Sequence, residues 1–356
     1  MALDRITLAR FRNHAETQLT GTGKINLLIG ENGAGKTNIL EALSLLSPGR
    51  GMRRAALEDI GRAGDEGFAV GADVAPDRAR LGTYTEPSRP GRRLIRINGA
   101  PATAVQLAEW LSVTWLTPAM DGLFTGTTSG RRQFTDRLAV ALDPLHAAHA
   151  SRYAAATQER GRLLTADQPV EAAWFDGVER LMAEHGAALA RGRAALVEAL
   201  NGGLAATPAE PFARPALAYK AGGPIDAAAL HAALVAGRPE DARAGRTLTG
   251  PHRDELSVTL AAKDLPAALS STGEQKAMLI AIILAHTALA ARGRPGVLLL
   301  DEVAAHLDPL RRSALFDRLR AGEAQVWMTG TELAPFKAVA EEAAIWRVSN
   351  GEVERV

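Results

Sequence analysis

The sequence predicts an α/β fold of mixed sheets with flanking helices, split by an inserted α-helical arm. Three observations carry that prediction. A glycine-rich loop, Gly30 to Thr37, lies between the apolar run Ile25–Ile29 and a helical pattern from Asn38 to Leu46. A second apolar run, Val297–Leu300, ends in the carboxylates Asp301 and Glu302. Between them, from about Ser129 to Leu204, strand formers thin out and alanine, leucine, arginine and glutamate dominate at helical spacing. At 356 residues the chain exceeds one ordinary core, and about two lobes are expected.

Taken in order, Ile6–Phe11 alternates as a half-buried strand should, and Phe68–Ala72 and Leu94–Ile97 are further strands, the latter closed by the hairpin turn Asn98-Gly99. Through the arm, Leu138, Leu142 and Leu145, then Leu181, Leu189, Leu196 and Leu200, mark apolar helix faces. The segment Asn201 to Gly245, rich in proline, glycine and alanine, reads as loops with a short helix. Leu256–Leu260 is a strand, Glu274–Ala291 a helix, Val297–Leu300 a strand and Pro309–Leu319 a helix. A strand at Gln325–Thr329 and a hairpin turning at Asn350-Gly351 complete the chain. The expected divisions are 1–120 and 246–356 for the two parts of one lobe and 121–245 for the arm.

Gly30-Glu31-Asn32-Gly33-Ala34-Gly35-Lys36-Thr37 is a complete phosphate-binding loop in strand–loop–helix context. Its glycines turn backbone N–H groups toward the α/β-phosphates of ATP, and the helix N-terminus adds partial positive charge. Lys36 is expected to reach the β/γ-phosphates and the Thr37 hydroxyl to hold Mg²⁺. Asp301 would contact the same Mg²⁺, and Glu302 would accept a proton from, or orient, the attacking water, making Lys36, Asp301 and Glu302 the catalytic set. Arg12 and Asn13 fall near where base and ribose should lie; nucleotide contact and plain turn chemistry are both open for them.

Ser271-Thr272-Gly273-Glu274 opens a helix about twenty-five residues before the acidic strand, the spacing of ABC-class ATPases. It reads as a second anion site, supplied by Ser271 and Gly273 to ATP held by another subunit. Ala304-Ala305-His306-Leu307-Asp308-Pro309 reads as that class's D-loop, with Asp308 in its characteristic place. Thr329-Gly330-Thr331 stands where a switch histidine is usual, so a hydroxyl is expected to replace the imidazole.

Composition narrows the rest. Without cysteine, disulfides, cysteine-ligated zinc, iron–sulfur clusters and thiol nucleophiles are excluded, and a reducing, cytoplasmic setting fits. The first residues lack the apolar core of a signal peptide, and Ala277–Ala291, the most apolar stretch, falls short of the roughly 20 residues that span a bilayer, so no membrane segment is expected. The net charge of +1 leaves any nucleic-acid contact to a local patch. Arg131 and Arg132 read equally as a phosphate-contacting pair or a solvated helix face, His252 and Arg253 as turn structure or a buttress of the catalytic face, and His146 and His149 lack a third metal ligand.

The motifs together resemble the RecF family of bacterial DNA replication and repair proteins, ABC-type ATPases related to the SMC proteins. Leu8-Ala9-Arg10-Phe11-Arg12-Asn13-His14 is similar to the family's opening strand and turn, with His14 in place of the usual tyrosine. The loop continuing into Asn38 and Leu40-Glu41-Ala42 has the SMC/RecF form. Ile97-Asn98-Gly99, Leu116-Thr117-Pro118, Arg131-Arg132-Gln133-Phe134-Thr135-Asp136 and Gly250-Pro251-His252-Arg253-Asp254 resemble family landmarks in order. Glu274 departs from a common glutamine, and no glutamine follows Pro118 to mark a Q-loop. The resemblance implies binding of single-stranded and duplex DNA and their junctions, an ATP-dependent homodimer with slow hydrolysis, and the mediators RecR and RecO as partners that help load a strand-exchange protein. Two other readings share the loop. A transporter's ATP-binding subunit fits poorly with the SMC-like loop and long arm, and a small-molecule kinase has no use for the second anion site.

Overall fold

The computed structural model describes residues 2–75, 79–168, 170–208, 210–291, 293–304 and 307–356. They form two compact units, the first made of Met1–Asp121, Thr207–Ala213 and Thr272–Val356, the second of Gly122–Ala206 and Arg214–Ser271.

The first unit begins with strands β1 (Leu3–Phe11), β2 (His14–Thr20) and β3 (Ile25–Ile29), then helix α1 (Lys36–Ser44). Strands β4 (Ala69–Val74), β5 (Ala79–Glu86), β6 (Arg89–Ile97) and β7 (Ala100–Ala102), helix α2 (Ala104–Trp110) and strand β8 (Ser112–Leu116) follow. An antiparallel sheet orders them β2-β1-β4-β5-β6-β7. Alternation in β1, β4 and β5 buries one face of this sheet. Asn98 and Gly99 both take positive φ, 52° and 83°, between paired Ile97 and Ala100, the two-residue turn whose twist suits a hairpin.

The second unit carries α3 (Thr128–Leu142), α4 (Leu145–Leu164), α5 (Ala172–Ala205) and α6 (Ala227–Ala244), with strands β9 (Pro215–Lys220), β10 (Glu255–Leu260) and β11 (Leu265–Pro266). Helices α4, α5 and α6 share a core of Tyr153, Ala156, Met182, Leu189, Leu230 and Leu234. Three expectations need correction. Leu145 and Leu181 are 59% and 50% exposed, so the apolar faces are narrower than their leucine spacing suggests. The segment read as loops with a short helix holds β9 and the 18-residue α6, capped by the Asp226 side chain on Ala229 N–H (3.0 Å) and by Gly245 at φ 63°. Because β10 pairs along its length with β9, this unit runs to Ser271, beyond the expected boundary at 245, and it is helical and β in composition.

The first unit resumes with α7 (Thr272–Ala290), β12 (Gly296–Leu300), α8 (Pro309–Ala321), β13 (Gln325–Gly330), β14 (Ala344–Ser349) and β15 (Glu352–Arg355). These build a second sheet with β3 and β8, in the order β15-β14-β3-β13-β12-β8, parallel except for β15. β8, β12 and β13 are buried on both faces, as parallel strands are. One core joins the two sheets through the buried Ile39, Leu40 and Leu43 of α1. Because β3, β13 and β12 are parallel neighbours, their carboxyl ends share one edge, where ligand sites of open α/β sheets form.

Candidate nucleotide site

That edge gathers the phosphate loop after β3, the carboxylates after β12 and Thr329 at the end of β13. Gly35 caps α1 in a left-handed conformation (φ 115°), and a Cβ there would lie 2.7 Å from the Asn13 side-chain oxygen. A Cβ on Gly30 would strike the Val348 carbonyl, so both glycines are required by packing as well as by the turn. Glu31, Asn32 and Gly33 are exposed along the crest, while Ala34 is buried.

Lys36 is buried, its ammonium donating to Gly30 O (2.6 Å) and Glu31 O (2.7 Å). Burial lowers its pKa, and the nearby negative charges of Glu302 and Asp301 oppose that shift. Asp301 Oδ1 accepts from two hydroxyls, Thr37 Oγ1 and Thr329 Oγ1, each at 2.8 Å. The Glu302 N–H in turn donates to Thr329 Oγ1 at 2.9 Å, and the Asp301 N–H to Leu116 O at 2.9 Å. Glu302 itself sits at φ 54°, a strained backbone for a non-glycine, at the turn that presents its carboxylate.

Of the two hydroxyls in Thr329-Gly330-Thr331, that of Thr329 is already engaged, while Thr331 is exposed. Thr329 is 1% exposed and spends its hydroxyl inside the site, bridging Asp301 to Glu302, whereas a switch residue replacing histidine would need to face the ligand. Nothing in the linear pattern announced that bridge. Its only signal was a threonine ending the strand between β3 and β12.

A second layer braces the loop. Ala34 O accepts from Asn13 Nδ2 (3.0 Å) and from the N–H of Gly351 (2.9 Å), so the β1–β2 and β14–β15 turns both hold it. Buried His14 places Nε2 3.1 Å from Gly35 O and Nδ1 3.0 Å from Thr17 Oγ1, and burial lowers its pKa. Asn38 donates to Asn13 Oδ1 (2.7 Å) and accepts from Arg53 (2.8 Å), which places its amide in this brace. Arg12 forks onto buried Glu41 through Nε (2.9 Å) and Nη2 (2.7 Å) and reaches Asp59 O with Nη1 (2.7 Å). Of the two roles left open for it, this geometry carries out the structural one. Glu41, 29 positions away from Arg12, is the partner that sequence reading did not name.

Ser271, Thr272 and Gly273 are exposed at the start of α7, and Glu274 is half-buried. Gly273 lies beside Arg311, whose backbone N–H is accepted by Asp308 Oδ1 at 2.9 Å; Asp308 is therefore the N-cap of α8. Ala305 and His306 of the expected D-loop lie outside the described residues.

In the second unit, Arg131 pairs with Glu255 (2.7 Å) and Arg132 donates to Asp254 O (3.0 Å), a third outcome beside the two expected for them. His146 pairs with Asp136 (2.8 Å) and His149 meets His185 (3.2 Å). Among the described residues no three His, Cys, Asp or Glu side chains gather as a metal site, and no helix is long and apolar enough to cross a membrane. The Thr37 hydroxyl and Asp301 carboxylate offer two converging hard oxygens, the donor set that suits Mg²⁺ arriving with phosphates better than a cation caged by protein alone.

Residues 2–353 match the family model for the RecF/RecN/SMC N terminal domain. The chain is 45% identical to the DNA replication and repair protein RecF of Rhizobium rhizogenes, covering 99% of this chain and 98% of the relative. The RecF of Agrobacterium fabrum is also 45% identical over 99% and 98% of the two chains. Among solved structures, the recombination mediator protein RecF-ATPrS in the RecFOR pathway superposes with a TM-score of 0.87 at 21% identity, covering 100% of this chain and 99% of that one. An Smc head domain derived from Pyrococcus furiosus, bound to the C-terminal domain of ScpA, has a TM-score of 0.54 at 16% identity, covering 100% and 96%. At those identities the two structures establish a shared fold.

Proposed function

The chain belongs to the family of RecF DNA replication and repair proteins, and from that premise we propose that it binds DNA under the control of ATP in recombinational repair. The single observation that carries the reading is the bridge at the sheet edge: Thr37 of the phosphate loop and Thr329 both bonded to Asp301, with Glu302 beside them. A glycine loop alone holds phosphate; this arrangement adds a cation site and a water-orienting carboxylate.

In the proposed mechanism, loop N–H groups from Gly30 to Thr37 cradle the phosphates of ATP, and Lys36 leaves its two carbonyl partners for the β/γ oxygens. Thr37 and Asp301 would hold Mg²⁺, which would supply charge neutralisation for the phosphates. Glu302 orients the attacking water, its backbone N–H fixed by the Thr329 hydroxyl. Ser271 and Gly273 of a second copy close on the γ-phosphate, with Glu274 and Asp308 nearby in sequence and cap, so ATP favours a homodimer that clamps DNA and hydrolysis releases it. RecR and RecO are the partners this reading implies. The relatives are DNA replication and repair proteins and lend no support to a transporter subunit.

The test is DNA binding by wild type and Glu302→Gln, with ATP and without. The variant should bind ATP, hydrolyse it on the order of a hundredfold more slowly, and accumulate as an ATP-bound dimer on DNA. DNA binding that ignores both ATP and the substitution would end the gating idea.

A further inference from the structure

In the second unit, the turn Gly250-Pro251-His252-Arg253-Asp254 is fastened at every polar side chain but one. Asp254, 2% exposed, accepts from Arg193 Nη1 (2.7 Å), the Tyr219 hydroxyl (2.5 Å) and the Gly222 N–H (2.8 Å). Arg193 also donates to Pro251 O (2.6 Å) and to both Asp136 oxygens (2.8 and 2.9 Å). The His252 ring sits between the Tyr153 hydroxyl (2.8 Å) and Thr247 O (3.0 Å). Glu255, next in the chain, is taken by Arg131.

Arg253 is the exception. It is exposed, its guanidinium has no hydrogen-bonding or carboxylate partner among the described residues, and its stem lies against Gly222, where no side chain can cover it. Two more cations stand close. Lys220 ends β9 across from Glu255, exposed and without an acid of its own among the described residues, and half-buried Arg132 donates to the Asp254 carbonyl. Burial lowers the Arg132 pKa, with the charge of Arg193 and more weakly that of Arg253 adding to the shift and those of Asp254 and Asp136 opposing it. The Arg131–Glu255 pair is neutral and Arg193 is outnumbered by Asp136 and Asp254, so Arg132, Lys220 and Arg253 face one surplus negative charge.

Burying Arg193 with two carboxylates costs desolvation that such pairs seldom return as stability; what they reliably fix is geometry. Here the geometry fixed is that of one uncompensated arginine. The network fixes the backbone that carries it, and a guanidinium matches phosphate with two parallel N–H donors. We propose that Arg253 is a phosphate-binding residue, with Lys220 and Arg132 supplying the surrounding positive field. The phosphate belongs either to a DNA backbone or to a nucleotide; the assignment rests on the DNA- and ATP-binding reading above.

The experiment compares wild type, Arg253→Gln, Arg253→Lys and Arg246→Gln, an exposed arginine of the same unit, in two arms. The first measures affinity for a duplex with a single-stranded tail, with ATP, across a salt series. The second titrates a fluorescent ATP analogue and follows dimer formation. Thermal unfolding should be the same for all four, because Arg253 makes no side-chain bond among the described residues. If the phosphate is DNA's, Arg253→Gln weakens binding regardless of sequence and lowers the salt slope by about 0.9, Arg253→Lys keeps the slope, and Arg246→Gln changes neither. A loss confined to the nucleotide arm assigns the phosphate to ATP. Arg253→Gln matching Arg246→Gln in both arms overturns the proposal. Wild type failing to bind DNA in the presence of ATP would sink the reading it rests on, and the nucleotide arm would still judge Arg253.

Discussion

The nucleotide site and the interior of the second unit both bury charge, and they treat it in opposite ways. In the second unit, fully buried Arg160 is saturated: Glu179 (2.9 Å), Asp241 (2.6 Å), Thr247 (2.8 Å) and Leu234 O (2.9 Å) take its donors. At the sheet edge of the first unit, Lys36 is held by backbone carbonyls and Asp301 by two hydroxyls. Neutral partners position a charge without cancelling it. Arg160 is finished as folded, whereas in the proposed mechanism Lys36 exchanges its carbonyl bonds for phosphate oxygens and Asp301 turns to a cation.

The most damaging break of that contrast is Arg160→Ala, which strands Glu179 and Asp241 without their shared cation. It should destabilise the protein by about 3–5 kcal/mol, read by urea unfolding. A replacement costing under about 1 kcal/mol would mean that water or Arg238, which also reaches Glu179, fills the gap. Thr329→Val should still fold, at some cost in stability, but remove the bridge that holds Asp301 and the Glu302 backbone N–H. With one buried partner lost, on the order of 1–3 kcal/mol, turnover should fall about ten- to a hundredfold while affinity for a nucleotide analogue changes less. Thr329→Ser, which restores the hydroxyl, should recover most of the rate. If valine and serine behave alike, the bridge is incidental.

The smallest effect concerns His14, where burial depresses the folded-state pKa below the ordinary value near 6.5. The unfolded chain then binds more protons between those two values, so stability is full above about 6.5 and falls as pH drops through that window. His149 and His252 are shifted in the same direction, so the readout is the difference between wild type and His14→Gln in melting temperature from pH 7 downward. The variant's curve should be flatter. A parallel pair of curves would show that His14 contributes nothing to the acid sensitivity.

Legibility followed the range over which each cause acts. The Asn98-Gly99 and Asn350-Gly351 turns were readable because positive φ at two successive residues is a local demand that few residue pairs meet. The phosphate loop was readable from its local glycine pattern, and β12 from a continuous apolar run ending in two carboxylates. Helix α6 was obscured because proline and glycine contents mask a pattern that Asp226, Gly245 and the buried Leu230 and Leu234 settle. Strand β9 shows little alternation of its own and exists through its pairing with β10. Arg12 was ambiguous while Glu41 was unknown as its partner, and the bridging role of Thr329 was illegible because it depends on two residues 27 and 28 positions upstream.

By itself, then, the sequence determined the phosphate loop, the paired carboxylates, the two turn types and the family, since each rests on residues adjacent in the chain or in fixed order along it. Tertiary structure alone decided which charges are spent and which stay available. Thr37, Asp301 and Thr329 meet because β3, β13 and β12 lie side by side, and Arg253 has no side-chain partner among the described residues while Arg193, Tyr219 and Gly222 converge on the residue after it. Hydrogen bonds and ion pairs act over about 3 Å in space, whatever the distance along the chain.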